Sequence, residues 1–317
     1  MSRIIRIEKI NSSFFKDKKT VVVIGFFDGV HLGHQKIIKI CTERAKKIDG
    51  TSVVFTFDKP PLNIVKGQVY KKLIIPYQEK IKLIKSCGVD YIVIARFNVS
   101  FSKLDPQEFC RHILIEKLNI KELFIGHGFR FGYNATGNEK FLQDFLASYN
   151  VKVNVVPVFK IDRVPVSSTE IRKYYSEGNI EKIIKFLGRV PAITGNVTAG
   201  EGRGKLLGFP TANVDVFERF ITPAEGVYLG WVNISTSKIK LPAVINIGSN
   251  PTFAGEKKWI ESYIINFNKN IYGRKIKVYF LKKLRDEILF ESKGDLIKQI
   301  KADLSFAKAY FNDIKKL

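Results

Sequence analysis

Along the first half of the chain, short runs that are almost wholly apolar alternate with longer stretches whose apolar positions recur every three or four residues. Residues 21–24, 53–57, 91–95, 122–125 and 151–156 are the short runs, and they predict five strands. Residues 32–47, 77–87, 106–118 and 139–149 carry the helical period; in the first of these, Ile37, Ile38 and Cys41 share one face. Strands with no polar alternation, separated by helices, predict an α/β domain with a parallel sheet covered on both faces.

The pattern changes after Pro165. Residues 167–177 and 180–187 predict two short helices, and from Gly188 the apolar period becomes two, broken by Gly and Pro. Residues 192–198, 226–234, 243–247, 259–266 and 275–281 read as strands, at a spacing that suits a small antiparallel barrel or sandwich. A last helix carries Leu296, Ile300, Leu304, Phe311 and Ile314 at helical spacing. The expected domains are residues 1–187 and 188–317, and a length of 317 residues suits two domains of about 150 each.

A hydrophobic share of 45% and a mean hydropathy of −0.03 exclude a mostly disordered chain. No apolar run approaches the roughly 18 residues of a membrane span, and residues 1–11 are too charged for a secretory signal. Three cysteines without a C-x-x-C pair, beside four histidines, argue against structural zinc and suit the reducing cytoplasm. The net charge of +23 admits a polyanionic partner, but the lysines are scattered in twos and threes. The expectation is therefore no nucleic acid and no membrane, and small phosphorylated molecules as partners of a monomer or weak homo-oligomer.

The stretch from Gly25 to His34 follows the first apolar run directly. Its glycines let the backbone turn sharply, and the start of the next helix offers free N–H groups and a positive dipole end that attract phosphate. His31 and His34 lie three apart, and imidazoles there can donate to phosphate oxygens as charge develops. The stretch reads G-x-F-D-G-x-H-x-G-H and resembles the FMN adenylyltransferase branch of the H-x-G-H nucleotidylyltransferases. The resemblance implies that His31 and His34 are catalytic and that Gly25, Phe27, Asp28, Gly29 and Gly33 bind ATP. Pro165 to Arg172 resembles that family's S-S-T-x-I-R motif, implying phosphate contacts from Ser167, Ser168, Thr169 and Arg172; Ser167 and Glu170 also read as a capping box. Gly126 to Gly132 resembles its G-x-D/N-F-x-F-G loop, implying flavin contacts from Phe129, Arg130 and Phe131, although these aromatics read equally as core. Gly128 stands where that family has Asp or Asn, and Pro60 where it often has His.

Gly200 to Asn213 opens the second half with four glycines before Pro210, Thr211, Ala212 and Asn213. It is no P-loop, since Leu206 stands where Ser or Thr is required. A hydroxyl and an amide two residues apart suit a magnesium ion that already carries phosphate charge. The stretch resembles the G-F-P-T-A-N motif of riboflavin kinase, and Gly226 to Tyr228, Asn246 to Phe253, Glu261 with Phe267, Tyr272 with Gly273, and Leu284 to Phe290 match that family in order. The resemblance implies Mg²⁺ on Thr211 and Asn213, ATP at Gly202, Gly204, Gly208 and Pro210, flavin at Arg285, and Glu261 as the base for the riboflavin 5′-hydroxyl. Asn266 and Asn270 stand where that family is usually acidic.

Together the halves resemble the bacterial bifunctional riboflavin kinases/FMN adenylyltransferases, or FAD synthetases, over nearly the whole chain. The resemblance implies an α/β Rossmann-like nucleotidylyltransferase domain with a parallel sheet, followed by an antiparallel β-barrel domain with a C-terminal helix. It implies a transferase that makes FMN from riboflavin and ATP, then FAD and pyrophosphate from FMN and a second ATP. Flavins are here substrates or products, and Mg²⁺ is the cofactor. A kinase-only enzyme and a nucleic-acid-binding flavin sensor are the alternative readings.

Overall fold

Val21, Val22, Val23 and Ile24 are buried on both faces, as a β-branched run without polar alternation requires. They form the middle of a six-stranded parallel sheet in the computed structural model, which describes residues 2–67, 71–200, 202–216, 219–234, 237, 239–249 and 258–314. The chain divides into two units, Met1–Ser168 and Thr169–Leu317.

In the first unit the strands are β1 (Arg3–Arg6), β2 (Thr20–Ile24), β3 (Thr51–Phe57), β4 (Tyr91–Ala95), β5 (Ile120–Gly126) and β6 (Lys152–Val156), in the order β1-β4-β3-β2-β5-β6. Between them run α1 (Leu32–Lys47), α2 (Pro61–Val65), α3 (Tyr77–Ser86), α4 (Val99–Ser102), α5 (Pro106–Glu108) and α6 (Glu139–Ala147). Five strands were expected, and β1 is the addition. Its apolar pair Ile4 and Ile5 is flanked by Arg3 and Arg6, charged ends that befit an edge strand, and Arg6 bonds Asp58 at 3.0 Å. Past α5 the coil widens to a π-helix over Phe109–Lys117, closed by the Leu118 N–H on the Ile113 carbonyl. A short hairpin, β7 (Lys160–Ile161) with β8 (Val164–Pro165), follows β6.

One face of the sheet packs Val22, Ile24, Phe55, Leu123 and Ile125 against Phe109, Leu114, Leu142 and Leu146. The chain proceeds outward from β2 through β3 to β4, then returns to add β5 and β6 on the other side of β2. That reversal leaves a crevice at the carboxyl ends of β2 and β5, the place where open parallel sheets hold ligands.

The second unit takes in α7 (Ser168–Glu177) from Thr169 onward, then α8 (Ile180–Leu187). A closed barrel follows from β9 (Ala192–Thr198), α9 (Arg203–Leu206), β10 (Ala212–Asp215), β11 (Gly226–Ile234), β12 (Leu241–Ser249), β13 (Lys258–Ile264) and β14 (Lys275–Arg285). Its order is β10-β13-β12-β11-β14-β9 with every pairing antiparallel. β10 was not anticipated, because four residues reading Ala, Asn, Val and Asp give too short a period-two signal. Ala307 and Phe311 of α10 (Lys293–Ile314) pack with Leu229, Trp231, Val244 and Tyr263, so the helix covers one side of the barrel.

Candidate active sites

In the first unit a cavity of about 350 Å³ opens at the carboxyl ends of β2, β5 and β6, where the sheet order reverses. Gly25, Phe27, His31, Gly33, His34, Phe129, Ser167 and Ser168 line it, so one hollow gathers residues that the sequence spreads over 144 positions, from 25 to 168. His31 is the N-cap of α1: its Nδ1 accepts the His34 backbone N–H at 3.2 Å. A neutral His31 then carries its proton on Nε2 and offers it as a donor. The two imidazoles stack with centroids 3.5 Å apart and planes 17° from parallel. Burial, then the neighbouring His31 and Lys80, hold the His34 pKa well below the ordinary value. Gly33 is required by close approach, since a Cβ there would lie 3.1 Å from the Val166 carbonyl and 3.2 Å from His31 Nδ1.

The turn between β2 and α1 is strained. Phe27 and Val30 adopt φ of +57° and +38°. Left-handed backbone costs a residue with a Cβ about 1–2 kcal/mol. Neighbouring groups hold the turn in place. Ser168 Oγ donates to the Asp28 carbonyl at 2.9 Å, the Ile74 N–H donates to the Asp28 carboxylate at 3.1 Å, and Gln35 Nε2 donates to the Val30 carbonyl at 2.9 Å. Asp28 and Gly29 therefore belong to the turn rather than to the cavity wall. Lys80 of α3, which the sequence reading passed over as one lysine among many, is buried beneath it. Phe131 is core, packed on Phe109 and Phe141, whereas Phe129 stacks on Phe131 and faces the cavity. Arg130 is exposed. The Gly128 N–H donates to the Glu139 carboxylate, and His127 Nδ1 lies 3.4 Å from the same oxygen, so a carboxylate reaches this loop from α6. Thr169 and Arg172 lie on α7 in the second unit.

In the second unit, register aligns Asn213 of β10, Glu261 of β13 and Asn246 of β12 side by side. Paired residues on neighbouring strands point to the same face. A cavity of about 530 Å³ contains Glu261 and Asn246, with Thr211, Tyr263, Arg285 and the apolar face of α10 at Leu296, Ile300 and Leu304. A second cavity of about 370 Å³ is lined by Pro210, Thr211, Ser262, Phe267 and residues 268–272. Thr211 borders both, and its hydroxyl lies 3.4 Å from Glu261 Oε2.

Gly204 lines the larger cavity, while Gly202 and Gly208 take left-handed turns at φ of +72° and +85°. Gly200 is held by contact instead, as its Cβ would lie 2.1 Å from Asn213 Nδ2. Arg285 is committed to a bidentate pair with Asp303 of α10, Nε donating to Oδ1 at 3.2 Å and the terminal nitrogen to Oδ2 at 2.8 Å. Glu287, unassigned from sequence, lines the larger cavity, and burial raises its pKa, with Glu225 adding to the effect. The expected match at Pro251, Thr252 and Phe253 lies outside the described residues. Among the described residues no cluster of three or more His, Cys, Asp or Glu could hold a metal, and no helix is long and apolar enough to cross a membrane.

Two family models match the chain: FAD synthetase over residues 14–170 and riboflavin kinase over residues 187–311. The bifunctional riboflavin kinase/FMN adenylyltransferase of Buchnera aphidicola subsp. Schizaphis graminum is 39% identical, with 96% of each chain covered. The protein of the same name from Escherichia coli strain K12 is 34% identical, with 92% of each chain covered. Among solved structures, a Streptococcus pneumoniae protein described as a macrolide-efflux protein superposes with a TM-score of 0.85 at 31% identity, covering 96% of this chain and 98% of that one.

Proposed function

The chain belongs to the family of bifunctional riboflavin kinases/FMN adenylyltransferases, and from that premise we propose how its residues divide the two reactions. The enzyme phosphorylates riboflavin to FMN and adenylylates FMN to FAD. We assign kinase chemistry to residues 188–317 and adenylyl transfer to residues 1–187.

In the kinase half, riboflavin occupies the larger cavity, whose apolar wall suits an isoalloxazine ring, and ATP occupies the smaller. Glu261 takes the 5′-hydroxyl proton as that oxygen bonds to the γ-phosphorus and the bond to the ADP oxygen breaks. The observation that carries this reading is the position of Thr211, on both cavities and 3.4 Å from the Glu261 carboxylate. Family resemblance brings in Mg²⁺, and the donors fit it: a threonine hydroxyl and a buried amide, both hard oxygen ligands, beside one carboxylate. Thr211 and Asn213 would hold the ion, which supplies positive charge to the phosphate oxygens.

In the other half, an FMN phosphate oxygen attacks the α-phosphorus of ATP and pyrophosphate leaves. His31, through Nε2–H, and His34 stabilise the charge that develops, and Gly25, Gly33, Ser167 and Ser168 shape the phosphate site. Phe129 contacts the flavin. The enzyme works in the cytoplasm, in keeping with three unpaired cysteines.

A chromatographic time course from riboflavin, ATP and Mg²⁺ tests the whole scheme. FMN should rise first and FAD follow. FMN accumulating with no FAD would leave a kinase only, and turnover of neither would end the proposal.

A further inference from the structure

Lys80 is an unusual lysine. Its side chain is 3% exposed, and its ammonium spends all three protons on uncharged oxygens: the Phe26 carbonyl at 3.1 Å, the Phe57 carbonyl at 2.7 Å and Thr56 Oγ1 at 3.3 Å. It also sits 4.2 Å from the centre of the Phe26 ring. One acceptor lies two residues past the end of β2 and the other two are the last residues of β3, so one cation ties the turn after β2 to the end of the adjacent strand at the ligand end of the sheet. Phe26 immediately precedes left-handed Phe27, where the strained turn toward His31 begins.

We propose that Lys80 is a positioning residue for adenylyl transfer, its buried ammonium clamping the strained turn that presents His31 and His34 and placing a fixed positive charge behind the triphosphate pocket. The inference rests on the reading that the first half makes FAD. A buried cation without a bonded carboxylate is costly to desolvate. A leucine or methionine would avoid that cost but take a donor from the Phe26 and Phe57 carbonyls and Thr56 Oγ1, so the ammonium both holds the turn and carries charge to the site. Its field reaches the site, because it contributes to the low pKa of His34. Burial brings the ammonium's own pKa down to about 8, opposed by Asp28 and Asp58. The other titratable groups that reach it are Tyr77 at the start of α3 and His34; Asp58 is itself paired to Arg6.

The test compares wild type, Lys80→Met and Lys80→Arg. FAD formation from FMN and FMN formation from riboflavin are each followed from pH 7 to 10, and thermal unfolding is measured for each protein. In Lys80→Met the kcat for FAD formation should fall about 100-fold, the scale on which a misplaced reacting group costs rate, with KM for FMN moving far less and FMN formation unchanged. Wild-type FAD formation should decline above about pH 8 as the ammonium loses its proton. Lys80→Arg, charged throughout this range, should move that decline to higher pH, and Lys80→Met should abolish it. A wild-type rate in Lys80→Met, or an alkaline decline identical in wild type and Lys80→Arg, overturns the proposal. If Lys80→Met loses an unfolding transition, the comparison of wild type with Lys80→Arg decides alone. Absence of FAD formation by wild type would instead overturn the underlying reading.

Discussion

His31 caps the helix that carries His34: Nδ1 of the first accepts the backbone N–H of the second at 3.2 Å, and the two rings stack above that bond. The cap fixes which nitrogen of His31 bears the proton, so local helix chemistry prepares the donor that we assign to adenylyl transfer. His31→Ala removes both functions and should slow FAD formation by about 100-fold or more. The lost cap should also cost about 1 kcal/mol of stability. His31→Asn keeps a capping oxygen, so it should recover most of the stability and little of the activity. FAD yield from FMN and the unfolding midpoint separate the two effects, and FMN formation from riboflavin should be intact in both variants.

The depressed pKa of His34 makes stability pH-dependent in a defined direction. The folded state holds the ring neutral, whereas the unfolded chain protonates it below about 6.5. The unfolded state therefore binds the extra proton, and stability falls as pH drops below that value, by about 1.4 kcal/mol per unit for one group. The loss ends where the folded ring itself protonates. His34→Asn should flatten this acid limb between pH 6.5 and 5, as read by unfolding midpoints. An unchanged limb would show that other groups set it.

The cavity of the first unit was legible because Gly25 to His34 packs a strand end, a turn and a helix start into ten residues, each with its own chemical signature. Lys80 was not legible: a lysine on a helix reads as solvated, and only the fold turns it under the β2 turn. For Phe131 the sequence left core and flavin contact open, and packing against Phe109 and Phe141 decides for the core. Strands β1 and β10 escaped because four residues, half of them polar, carry too little periodicity. In the barrel, Glu261 was placed by resemblance, while its alignment with Asn213 and Asn246 is a product of strand register.

Arg285 and Asp303 tie β14 to α10 through a bidentate pair with both side chains largely buried. Gln299 Nε2 adds a bond to the same carboxylate at 2.9 Å. Breaking one side of such a pair leaves a desolvated charge, and Asp303→Asn should lose about 2–3 kcal/mol. Because Leu296, Ile300 and Leu304 of α10 form the apolar wall of the larger cavity, the same variant should raise KM for riboflavin and leave KM for ATP nearly unchanged. Equal effects on both would indicate that the pair does not govern this wall.

Glu261→Gln preserves shape and removes the carboxylate that we assign as proton acceptor. FMN formation should fall about 100- to 10,000-fold, the usual range for a general base, while FAD formation from supplied FMN proceeds normally. The residual rate should also lose its acid limb, because that limb reports protonation of the missing carboxylate. A residual rate with an unaltered pH profile would assign the base elsewhere, with Glu287 in the same cavity as the next group to test.

Gly200→Ala acts on Asn213 without touching the reacting groups. An added Cβ would lie 2.1 Å from Nδ2 and 2.6 Å from Cγ of that buried amide, so the side chain must shift. If the amide oxygen of Asn213 serves magnesium-bound ATP, KM for ATP in the kinase reaction should rise about tenfold, the scale on which displaced positioning groups act. Asn213→Ala should produce a similar defect. Because both changes work through one side chain, the double variant should be no worse than Asn213→Ala alone, which is the non-additivity expected of residues in contact. Additive losses would mean that Gly200 serves the nucleotide directly through its backbone, and Asn213 separately.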